Sequence, residues 1–66
     1  MTELRTRRVA LGKSISDVSH EARVNTSCLS WVEKKKAAAS ANMRASIAAF
    51  FDVPETELFD TNGFAL

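Results

Sequence analysis

The chain has 66 residues, 45% of them hydrophobic and 26% charged, with nine Lys and Arg against eight Asp and Glu. That length holds one small domain whose single core is marginal without further support, and one cysteine beside one histidine excludes an internal disulfide and a four-ligand zinc site. No run approaches the roughly 18 apolar residues of a membrane span, and the basic N-terminal segment lacks the apolar core of a secretory signal, so a cytoplasmic protein with Cys28 as a reduced thiol is expected.

Two glycines, one proline and many alanines favour an all-α chain. The first helix is predicted over about 3–11, with Leu4 and Leu11 at i and i+7 and Val9 and Ala10 adding apolar width. Arg8 falls on the same seam, and Gly12 closes the helix. Ser14 then reads as the N-cap of a second helix, with Asp17 in the capping-box position and Ile15, Val18 and Ala22 as the inward set. A turn at Ala22-Arg23-Val24 leads to Asn25, the N-cap of a third helix over about 26–34. Leu29 and Val32 face inward there, and Glu33 sits on that seam. A buried unpaired charge is very costly, so Arg8 and Glu33 are expected to pair, tying the first helix to the third.

After Lys34-Lys35-Lys36, a fourth helix over about 41–51 carries the stripe Met43, Ile47, Phe50 and Phe51, read as a core face. Pro54 marks entry to a short fifth helix ending around Phe59. Residues 60–66 read as a turn and tail, giving a domain over 1–59 and a tail whose Phe64 and Leu66 lack a helix to sit on.

Charge is unevenly spread. Residues 1–51 hold all nine bases against four acids (Glu3, Asp17, Glu21, Glu33), a net +5, whereas residues 52–66 hold four acids and no base, a net −4. A basic body of this kind suits a polyanionic partner.

The second and third helices fit a helix-turn-helix written as a twenty-residue unit from Ile15 to Lys34. Val18, Ala22, Val24, Leu29 and Val32 take the inward positions and Ser19 is small enough for a close crossing. On these residues the sequence resembles the lambda-repressor/Cro-like helix-turn-helix family from about Leu4 to Phe59. Further matches are Arg8 and Gly12, Ile47-Ala48-x2-Phe51-x-Val53, and Glu57-Leu58-Phe59. The resemblance implies a compact five-helix DNA-binding domain, usually dimeric. Its bridge between helices one and three matches Arg8 and Glu33. The chain departs from the family pattern at Ile15, where Gln is usual, and at Arg23 and Lys35, where glycine is usual.

A helix-turn-helix reads bases from the outward face of its second helix. Carried over, that implies Thr26, Ser27, Ser30 and Trp31 as base-reading residues. Phosphate contacts are assigned to Ser14, Ser16, Asn25, Lys34, Lys35, Lys36 and Arg44. The expected function is a sequence-specific transcriptional regulator, of the repressor kind found in phages and mobile elements, acting on double-stranded DNA as a homodimer through Leu58, Phe64 and Leu66. No cofactor, metal, membrane or small-molecule ligand is expected. Catalysis is a poor fit, since His20, read as a surface residue, and Cys28, read as a partly buried filler, lie on different helices without a third group. The alternative is a protein-interaction module on the same scaffold, antitoxin-like or adaptor, because a fold does not fix a function.

Overall fold

Four α-helices and one 3-10 turn account for the regular structure of the computed structural model, which describes residues 1–66: α1 (Glu3–Ala10), α2 (Ile15–Ala22), α3 (Thr26–Glu33), α4 (Ala41–Phe51) and the turn Glu55–Glu57. No strand forms, and none of the helices is long and apolar enough to cross a membrane.

Each α-helix starts on a side-chain cap: Thr2 accepts from Arg5 N, Ser14 from Asp17 N, Asn25 from Cys28 N and Ser40 from Met43 N. These bonds serve donors that have no partner within the helix. Each helix also ends in a left-handed residue, with the next N–H folding back onto the last turn. At α3, Lys36 N donates to Trp31 O at 2.9 Å and Lys35 N to Val32 O at 3.1 Å; α4 closes the same way through Val53 and Asp52. Only α1 uses glycine there (Gly12, φ +68°); α2, α3 and α4 use Arg23 (φ +59°), Lys35 (+62°) and Asp52 (+56°).

The core joins Leu4, Val18, Leu29, Val32, Ala39, Ile47, Ala48, Leu58 and Phe59. Around it lie the half-buried Ile15, Val24, Met43, Phe50, Phe51 and Val53. Helix α2 packs on both α3 and α4, so α3 is held on one side and faces solvent on the other.

Three expectations need correction. Val9 and Leu11 are more than half exposed, leaving Leu4 as the buried apolar residue of α1. Val9 is five residues from Leu4 and so points to another side, and Leu11 lies past the helix end where the 3.6-residue period stops. The fifth helix is a single 3-10 turn. Its continuation is blocked because Phe59 forms an antiparallel bridge with Ala65, and the Leu58 carbonyl accepts from Leu66 N at 2.9 Å. Leu58, expected at a dimer contact, is fully buried in the chain's own core and offers no surface.

Residues 60–66 fold back onto the body. Asp60 Oδ1 accepts from the N–H groups of Asn62 and Phe64 at 2.8 and 3.0 Å. The Gly63 carbonyl accepts from Ala39 N at 2.9 Å, and the Leu66 carbonyl from Glu3 N at 2.6 Å. Ala65 is buried, while Phe64 and Leu66 remain 37% and 45% exposed.

Candidate nucleic-acid interface

The α2–α3 junction begins with a reciprocal cap. Ser14 Oγ accepts from Asp17 N at 3.1 Å and Asp17 Oδ2 accepts from Ser14 N at 3.0 Å. That backbone N–H holds the Asp17 carboxyl below the usual carboxylate range, because it stabilises the charged form. Ser19, buried at the crossing, donates to the Ser16 carbonyl at 3.0 Å and lies 2.7 Å from Thr26 Oγ1. Ser19 has one hydroxyl proton, which serves Ser16. Thr26 must then donate to Ser19 Oγ, leaving its own oxygen free only to accept.

Thr26, Ser27 and Trp31 are exposed on the outer face of α3, with Ser30 half-buried beside them. Trp31 is 53% exposed, and Lys36 Nζ sits 5.3 Å from its ring centroid, a cation–π distance. Ser14, Ser16, Asn25, Lys34, Lys35 and Lys36 are also exposed. Arg44 is not brought to this group: its Nη1 donates to the Ala39 carbonyl at 2.6 Å and its Nε lies 3.3 Å from Glu55 Oε1. Cys28 is exposed rather than a filler, because it sits on the outer side of the first turn of α3. His20 is exposed as well.

The distribution of ion pairs separates the cations into two groups. Arg7, Arg8, Lys13 and Arg44 are paired with Glu3 and Glu57, Glu33, Glu21 and Glu55 respectively. The other five of the nine are Arg5, Arg23, Lys34, Lys35 and Lys36, and none has a carboxylate partner. Arg23 lines an open groove with Ser16, His20 and Thr26 at the N-terminal end of α3. Arg5, Lys34 and Lys35 line a cleft at its C-terminal end, where the one carboxylate, Glu33, is already bound to Arg8. Sequence reasoning did not assign Arg23 or Arg5 to the site. For Arg23 the signal available was a long cation at a turn position where glycine fits best.

A third depression, lined by Cys28, Trp31, Val32, Ala37, Ala38 and Met43, is mainly apolar. No three His, Cys, Asp or Glu side chains are grouped so as to hold a metal ion. No family model, curated protein or solved structure matches the chain.

Proposed function

We propose that the chain is a sequence-specific DNA-binding regulator in which α2 and α3 form a helix-turn-helix and α3 enters the major groove. The observation that carries this reading is the set of unpaired cations at both ends of α3, beside an outer face of Thr26, Ser27 and Trp31 with no acid on it. Unpaired Lys and Arg release counterions when they meet phosphates, which supplies sequence-independent affinity. The resemblance to the lambda-repressor/Cro-like family supports the same assignment.

In this reading, exposed Lys34, Lys35 and Lys36 contact the backbone, and Ser14, Ser16 and Asn25 meet phosphates near the starts of α2 and α3. Arg44 stays out of the contact set. Thr26, as an acceptor, favours base edges that carry an amino group, the N4 of cytosine or N6 of adenine. Trp31 lays an apolar ring against sugars or thymine methyls. Exposed Phe64 and Leu66 support a homodimer on a two-fold-symmetric site.

A fluorescent random-sequence duplex titrated with the protein at several salt concentrations tests the assignment. Affinity that falls steeply as salt rises supports it. A second reading, a protein-interaction module, is favoured by the apolar depression around Trp31 and Met43. Under that reading the duplex is not bound at any salt concentration.

A further inference from the structure

All four α-helices close on a left-handed residue, and an L side chain in that conformation is disfavoured because its Cβ crowds the following carbonyl oxygen. Glycine avoids that crowding, yet only α1 has it. Two of the three remaining caps, Arg23 and Lys35, are unpaired cations, and they flank α3: Arg23 lies two residues before its N-cap Asn25, and Lys35 follows its C-cap Lys34 directly. A cation at a helix C-terminus also gains from the helix dipole. That gain does not explain the pattern, because Asp52 takes the equivalent position of α4 with the opposite charge.

Resting on the DNA-binding reading above, we propose that Arg23 and Lys35 are a pair of phosphate clamps, one for each strand bordering the groove that α3 enters. The eight residues of α3 rise about 12 Å, so the two cations stand beyond opposite ends of a helix about as long as the roughly 12 Å major groove is wide. Each cation opens onto its own depression. Arg23 faces the groove shared with Ser16, His20 and Thr26, and Lys35 faces the cleft shared with Arg5 and Lys34. Neither depression holds an unpaired carboxylate that would repel a phosphate. The left-handed backbone is therefore retained at the expense of stability because it carries a cation to each rim of the interface.

The test compares the unmodified protein with Arg23→Gly, Lys35→Gly and Asp52→Gly on a labelled random-sequence duplex, alongside thermal melts. The Arg23 and Lys35 variants are expected to melt within about 3 °C of the unmodified protein or above it, since glycine relieves the backbone but loses entropy on folding. Each should bind roughly fivefold more weakly, the scale of one exposed charged contact. Each should also reduce the slope of log affinity against log salt by about 0.9. Asp52→Gly should leave affinity and slope unchanged. Arg23→Gln and Lys35→Gln keep the left-handed L-residue and remove only charge, and they should reproduce the binding loss. Glycine and glutamine variants that bind with unchanged affinity and slope would overturn the clamps while leaving the DNA reading standing. A duplex that the unmodified protein ignores at low salt would overturn both.

Discussion

Arg8 and Glu33 meet in a two-point ion pair, Nε to Oε2 at 3.0 Å and Nη2 to Oε1 at 2.9 Å, which fastens α1 to the last residue of α3. The remaining guanidinium nitrogen donates to the Lys13 carbonyl at 2.8 Å, and Thr2 Oγ1 donates to the Glu33 carbonyl at 2.9 Å. The hydrogen bond to the Glu33 carboxylate, helped by its charge, raises the Arg8 guanidinium above its already high value.

Removing one partner exposes the asymmetry of the pair. Glu33 is 6% exposed and Arg8 15%, so Arg8→Ala strands the deeper charge. Urea melts should show a loss of about 3–5 kcal/mol for Arg8→Ala, the usual range for breaking a buried pair, and a smaller loss for Glu33→Ala. Two losses near zero would mean the pair does not brace α3.

Asp17 makes the start of α2 sensitive to acid. Its carboxyl is held low by the Ser14 backbone N–H, so its contribution is fully present above about pH 4, the unfolded value, and is lost as pH falls through the lower folded value. Asp17→Asn should flatten the fall of the melting temperature with acid below about pH 4. An unchanged acid profile would show that the cap contributes nothing linked to protons.

Gly63 fixes the folded-back C-terminal segment. A Cβ there would come within 2.8 Å of Arg44 Nη1 and 2.9 Å of the Ala39 carbonyl, at φ +88°. Gly63→Ala should destabilise by about 2 kcal/mol or more, from left-handed strain and overpacking together. Gly12→Ala is the comparison, because its Cβ meets nothing within 4 Å, so only the roughly 1–2 kcal/mol backbone cost applies.

Trp31 separates binding from stability. With the ring 53% exposed, Trp31→Ala should change the melting temperature by only a few degrees, about 1 kcal/mol, while weakening selected-site binding. A large stability loss with unchanged binding would make the ring a packing residue.

The helices were legible where local chemistry is decisive. Ser14 with Asp17 and Asn25 announce their caps, and the Met43, Ile47, Phe50 and Phe51 spacing marks α4. Arg8 and Glu33 are conspicuous because charges rarely sit on apolar seams. The end of the chain was not legible in the same way. The bridge between Phe59 and Ala65 and the bond from Glu3 to the last residue join segments distant in sequence, and no local pattern encodes them. Leu58 therefore looked available when it fills the core. Arg44 looked like a free cation because its partners, Glu55 and the Ala39 carbonyl, are brought near only by the fold.

Selection of bound sequences from a random pool of duplex DNA tests the central claim most directly. An enriched inverted repeat with half-sites about one helical turn apart is the result the helix-turn-helix dimer requires. No enrichment over the starting pool, at low salt as well as at physiological salt, would contradict sequence-specific recognition by α3.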